Sequence, residues 1–261
     1  MFRLRQLTDS REIECIIGIT LSSCEAFNIP GLDLNYFKNF TIAIQNGYKN
    51  LTYHNSTHAA DVCQSIYFVL KEGGRLAETA NVDALEMFAI LTAAIVHDFE
   101  HPGVQNVFLQ RMLDPKAIRH NDVSILESHH VAAAFELMLS DPQFNWAKEM
   151  ATEDFTRVRQ LMIDMVLTTD MSFHFRELNQ LKERLAKQEF NPSESEKDKL
   201  IILKNAFHLS DISNPAKSFY LYKDWTDLLF FEFFAQGDLE RLQGFPISQF
   251  CDRHTTNVAK S

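Results

Sequence analysis

Three stretches of this chain set histidine beside carboxylate at the edge of an apolar run. They are YHNSTHAAD (53–61), LTAAIVHDFEHPG (91–103) and FHLSDISNP (207–215). In the second, Ile90, Leu91, Ala93, Ala94, Ile95 and Val96 are apolar on all sides, as in a helix buried all round. That run ends abruptly in His97, Asp98, Glu100 and His101. Buried charge is costly unless it is paired or coordinates a metal. Adjacent residues on a regular helix diverge by roughly 100°. His97 and Asp98 can therefore reach one ion only where the helix ends, and Pro102-Gly103 predicts that ending. His54 and His58 stand four apart, on one helical face or at a helix start. In the third stretch His208, Asp211 and Asn214 close another apolar run just before Pro215.

This pattern is consistent with one ion held by His58, His97, Asp98 and Asp211. Two imidazoles and two carboxylates form a borderline-to-hard donor set. With added water it suits six-coordinate zinc, iron or manganese better than a closed structural zinc site, which prefers thiolates. The spare oxygen of Asp98 could bridge to a second ion held mainly by water, as magnesium prefers. Two ions ~3.5–4 Å apart would hold a bridging hydroxide at neutral pH and neutralise phosphoryl oxygens.

The elements that must position these residues read as helices. Periodicity predicts helices over 10–27 and 33–47, and over 57–71 with Gly73-Gly74 as a C-terminal cap. The buried helix spans 82–98, a short one 106–113 stops at Asp114-Pro115, and amphipathic helices cover 123–139 and 152–167, with Thr152 as N-cap. A charged segment follows over 172–187, then a solvated linker at 190–199 (FNPSESEKDK). An apolar helix occupies 200–209, and Pro215 opens another through Ala235, with Gly237 past its end. Sustained period-two alternation is absent, and Asn46-Gly47 sits in a helical pattern. The fold class expected is all-α, a compact multi-helix bundle forming one domain over 1–261.

Composition narrows the function. A net charge of −10 argues against a general nucleic-acid or anionic-membrane surface, which needs a basic patch. An anionic substrate stays open, because a divalent ion reverses the local sign. Cys15, Cys24, Cys63 and Cys251 include no CxxC pair and read as reduced thiols of a cytoplasmic protein. No apolar run approaches the ~20 residues that span a bilayer, and Met1-Phe2-Arg3 opens no signal peptide.

HNSTHAADV, HDFEHPGVQN, NDVSILESHH, TTDMS and HLSDISNP, in this order, resemble the catalytic domain of class I cyclic nucleotide phosphodiesterases. The resemblance covers nearly the whole chain, from about residue 30 onward. It implies an all-helical domain with zinc in a tight site and magnesium or manganese in a second. It implies hydrolysis of the cyclic 3′,5′-phosphodiester of cAMP or cGMP to the 5′-monophosphate. In the matching positions His54 is the general acid that protonates the leaving O3′. His58, His97, Asp98 and Asp211 bind the tight ion, and Asp98 also touches the second. His101, Glu127 and Thr169 hold the second ion's waters. The bottom-up reading agrees on His54, which is left over after four ligands are counted and so is free to handle a proton. Asn214 matches the asparagine that contacts the base, and Tyr53, Met171, Ile212, Leu229, Phe233 and Phe250 match pocket-lining positions. The family's base-reading glutamine and stacking phenylalanine belong just beyond Ser261, so a domain truncated at its C-terminus, lacking its last helices, is the expectation. Two other readings stand beside this one: another His-Asp nucleotide phosphohydrolase, and a non-catalytic nucleotide-binding module. The acidic surface and the charged 182–199 segment are candidates for a partner or homodimer interface.

Overall fold

The structure is a computed structural model, in which residues 28–258 are described. The helix expected over 10–27, with Cys15 and Cys24, lies outside the described residues. Among the described residues the fold is all-α: helices, connecting turns and no strand. The helices are α1 (Leu34–Gly47), α2 (Ser56–Tyr67), α3 (Leu76–Thr79), α4 (Ala84–Val96), α5 (Asn106–Arg111) and α6 (Pro115–Arg119). They continue as α7 (Ile125–Ser140), α8 (Thr152–Leu167), α9 (His174–Leu185), α10 (Glu196–Asp211) and α11 (Phe219–Leu242).

Helix α4 is the axis of the molecule. Asp83 opens it with a capping box: its side chain accepts from Glu86 N at 2.8 Å, while the Glu86 carboxylate accepts from Asp83 N at 2.9 Å. Every residue from Glu86 to Val96 is buried, and α4 packs chiefly between α8 and α2. Fully burying each large apolar side chain, such as Ile90, Leu91 and Ile95, stabilises the fold by ~1.5–3 kcal/mol. Phe88 also anchors an aromatic cluster, with ring centroids 4.9 Å from Phe37 and 5.2 Å from Trp146. A satellite cluster of Leu109, Ala117, Ile125 and Leu126 packs α5, α6 and α7 together.

Several local expectations are corrected. Helix α8 begins at Thr152, but Ala151 occupies the N-cap and Thr152 is its first helical residue. Gly73 has φ −88° and is not a left-handed cap; a Cβ there would meet the Phe68 ring at 2.3 Å. The linker at 190–199 is shorter than its composition suggests. Ser195 caps α10, and Asp198 and Lys199 are buried inside it, Asp198 accepting from Arg184 Nε at 2.5 Å. Gly237 does not end the last helix. It lies inside α11, where a Cβ would meet the Cys251 carbonyl oxygen at 1.9 Å, so the glycine permits the 245–251 segment to cross the helix closely.

Candidate active site

The site is assembled at the C-terminal end of α4. The helix stops at Val96, six residues before Pro102; 97–100 form a turn, and His101 N donates to Asp98 O at 3.0 Å. Glu100 takes a left-handed φ of 61°. Leaving the helix frees His97 and Asp98 from their helical divergence. His97 Nδ1 donates to Ala94 O at 2.9 Å, which turns Nε2 toward the two carboxylates. That Nε2 is buried and makes no hydrogen bond, yet it stands 3.2 Å from Asp98 Oδ2 and 3.4 Å from Asp211 Oδ1.

His58 arrives from the first turn of α2. Asn55 caps that turn, accepting from Thr57 N at 2.9 Å and His58 N at 3.1 Å. His58 Nε2 lies 3.0 Å from Asp211 Oδ1 and 3.4 Å from Asp98 Oδ2. Asp211 is the last residue of α10. The four residues expected to hold the tight ion thus lie together, two imidazole nitrogens against two carboxylate oxygens. Burial alone would raise both carboxyls. The His97 and His54 imidazoles hold Asp98 well below the usual range, and those of His58 and His97 hold Asp211 down. A divalent cation fits this donor set, which offers an orphaned ring nitrogen and two adjacent anionic oxygens.

A second group of donors adjoins the first through Asp98. Its Oδ1 stands 3.8 Å from His130 Nε2, and Asp98, His101 and His130 offer ligand atoms all within 4.8 Å of one another. His130 Nδ1 donates to Phe99 O at 2.6 Å, and burial pushes its pKa down to about 4. His101 Nδ1 accepts from Gly103 N at 3.0 Å; burial and the nearby His54 keep His101 neutral, well below its ordinary value. Glu127 accepts from Asn106 Nδ2 at 3.0 Å. Burial and the Asp170 carboxylate raise Glu127 to about 7. Thr169 is buried at the end of α8, its hydroxyl donating to Val166 O at 2.8 Å.

His54 sits just outside α2, where its ring stacks on His101 at a centroid distance of 4.0 Å. Its Nδ1 pairs with Glu232 Oε1, and Glu232 Oε2 accepts from Tyr53 N at 3.0 Å and His54 N at 3.3 Å. Burial opposes a charge on His54, but Asp98 and Glu232 raise its pKa above the ordinary value. An imidazole that keeps its proton beside an anion-binding site can serve as a general acid.

The expected base pocket has one well-built corner. Asn214 Nδ2 donates to Tyr53 OH at 2.8 Å, and Asn214 Oδ1 accepts from Lys217 Nζ at 3.2 Å. Lys217 in turn pairs with Asp61 at 2.6 Å. Ile212 is half-buried at the end of α10, and Leu229 and Phe233 are half-buried on α11. Met171 and Phe250 are exposed, Phe250 with a left-handed φ of 66°.

Sequence reasoning missed Glu232 and His130. Glu232 had a signal, a single carboxylate inside the aromatic run Phe230, Phe231, Phe233, Phe234, where a buried charge needs a partner. Trp225, 5.6 Å from Tyr53 and 6.0 Å from His58 between ring centroids, was missed as well.

An all-α domain with clustered histidines and carboxylates at a helix end defines a metal-dependent enzyme class. Residues 53–261 match the family described as 3′5′-cyclic nucleotide phosphodiesterase, and the chain belongs to it. The whole chain is 34% identical to rat "3′,5′-cyclic-AMP phosphodiesterase 4C", covering 49% of that protein. It is 37% identical to the nematode Caenorhabditis elegans "Probable 3′,5′-cyclic phosphodiesterase pde-1", covering 38% of it. It is 38% identical to human "Dual specificity calcium/calmodulin-dependent 3′,5′-cyclic nucleotide phosphodiesterase 1C", covering 36% of it. The chain therefore spans half or less of the length of these curated relatives. Among the described residues no helix is long and apolar enough to cross a membrane.

Proposed function

We propose that this chain carries the catalytic site for hydrolysis of cAMP, cGMP or both to the 5′-monophosphate. The observation that carries the reading is the convergence of His58, His97, Asp98 and Asp211 within 3.0–3.4 Å, with His54 held beside them by Glu232. His58, His97, Asp98 and Asp211 would hold zinc tightly, and Asp98, with His101, Glu127 and Thr169 through water, would hold magnesium or manganese. Bound cations supply neutralisation of phosphoryl oxygens and activation of water at neutral pH.

The residues of the chain do the rest. Water oxygen adds to phosphorus and sheds one proton to solvent, the P–O3′ bond breaks, the proton on His54 passes to O3′, and solvent then returns a proton to His54. Glu232 keeps the His54 ring oriented and favours its protonated form. Asn214, locked between Tyr53 and Lys217, presents a fixed amide to the base. The relatives' names divide between cyclic-AMP and dual specificity, so both nucleotides are included. The buried thiols of Cys63 and Cys251 suit a reducing cytoplasmic compartment.

The test is hydrolysis by the purified chain, supplied with zinc and magnesium, of cAMP, cGMP and dGTP in 18O-water. The reading expects 5′-monophosphate carrying the label on phosphorus, and no attack on dGTP. Preferential hydrolysis of dGTP would favour a different His-Asp phosphohydrolase. Divalent metal bound with no turnover of any nucleotide would favour a binding module.

A further inference from the structure

Helix α11 carries three buried polar side chains at four-residue intervals: Glu232, Gln236 and Glu240. This spacing lines them along one face. Glu232 serves His54. The other two have no part in the chemistry above, yet both are satisfied from several elements. Gln236 Oε1 accepts from the backbone N–H of Gln105 at 2.8 Å, and its Nε2 donates to Glu240 Oε1 at 3.1 Å. Glu240, fully buried, also accepts from Ser248 N at 2.7 Å and from Arg111 Nη1 at 3.3 Å.

Gln105 is where this ladder meets the site. It lies between His101 and Asn106 in sequence, and Asn106 holds Glu127 through its side-chain amide and Leu126 N through its carbonyl at 2.9 Å. Gln105 is also the N-cap position of α5, but its own side chain makes no capping bond. The bond from its N–H to Gln236 thus fastens the segment joining His101 to the Asn106–Glu127 pair. Gln105 is half-buried, and without this acceptor its N–H must find another partner, which shifts the segment.

We infer that Gln236 is a positioning residue for the second cation, backed by Glu240 and acting through the Gln105 N–H on the segment between His101 and Asn106. The inference rests on the two-ion reading above. Removing the Gln236 amide should weaken the second site selectively, because His58, His97 and Asp211 hang on other elements. Losing a residue that orients ligands typically costs 10–100-fold in metal affinity.

The test measures Mn2+ uptake by the zinc-loaded full chain, through loss of the free Mn2+ electron paramagnetic resonance signal. Gln236→Met keeps length and apolar packing while removing both bonds. It should bind the second Mn2+ at least about tenfold more weakly, with zinc content unchanged. Gln105→Pro deletes the donated N–H from the other side, and the Gln105 φ of −78° accommodates proline. It should weaken Mn2+ similarly, and it decides the matter should Gln236→Met not fold. Unchanged Mn2+ affinity in the folded variant, or equal loss of zinc and Mn2+, would overturn the inference. A wild-type chain that takes up one ion only would overturn the two-ion reading itself, and this inference with it.

Discussion

The two ends of α4 bury charge in opposite ways. At the N-terminal end Glu86 is fully partnered: Arg157 lies at 2.8 Å, Lys199 at 3.3 Å, and the capping box takes the rest. Asp83 shares the same arginine at 2.6 Å, so two acids meet two bases. At the other end two carboxylates meet imidazoles, one of which leaves its inner nitrogen without a hydrogen bond. The first arrangement is closed and holds α4 to α8 and α10. The second is left incomplete by the protein alone, which is what a cation site requires. A groove of about 580 Å³ runs beside the closed end, lined by Arg157, Lys199, Leu161 and Leu203 among others. Its lining residue on α4, Glu86, lies about 16.5 Å along the helix from His97, at 1.5 Å per residue.

The contrast can be broken by substitution. Asp211→Ala should remove the tight ion and lower kcat/KM by about 1,000-fold or more, since bound metal supplies several kcal/mol of transition-state stabilisation. His54→Ala should lower kcat by about 10²–10⁴-fold while metal content, read by mass spectrometry, survives. Loss of metal with turnover retained would contradict the role given to His54.

At the closed end the effects should fall on stability alone. Lys199→Met leaves buried Glu86 with Arg157 as its single cation and should cost about 3 kcal/mol in denaturant unfolding. Activity per folded molecule should stay within about twofold. A large fall in kcat would mean the two ends are coupled through α4.

The smallest effect concerns pH. Glu127 is raised to about 7 by burial and Asp170, so the folded, metal-stripped chain binds its proton more tightly than the unfolded chain does. Its contribution to stability is complete below the unfolded value near 4.5 and is lost as pH rises through about 7. Glu127→Gln should flatten the fall in melting temperature between these limits. An unchanged slope would show that Glu127 is not the group responsible.

How far the sequence could be read follows from where each residue sits. His97, Asp98 and Asp211 stood out because apolar helices end on them, where a polar residue is conspicuous, and His58 by its four-residue spacing from His54. His54 stood out by spacing. Glu232 and Gln236 did not, because they lie mid-helix and their partners are more than 130 residues away along the chain. Gly237 was misread as a stop because glycine both closes helices and admits a close neighbour, and only Cys251 packed against it tells the two apart. The 190–199 stretch was misread because Asp198 and Lys199 look solvated until Arg184 and Glu86 are brought to them.

The most direct measurement is anomalous diffraction at the zinc edge from crystals grown with zinc and magnesium. The account predicts one strong peak about 2.0–2.2 Å from a ring nitrogen of His58 and of His97 and from a carboxylate oxygen of Asp98 and of Asp211. A peak bound elsewhere, or none among these four side chains, would contradict it.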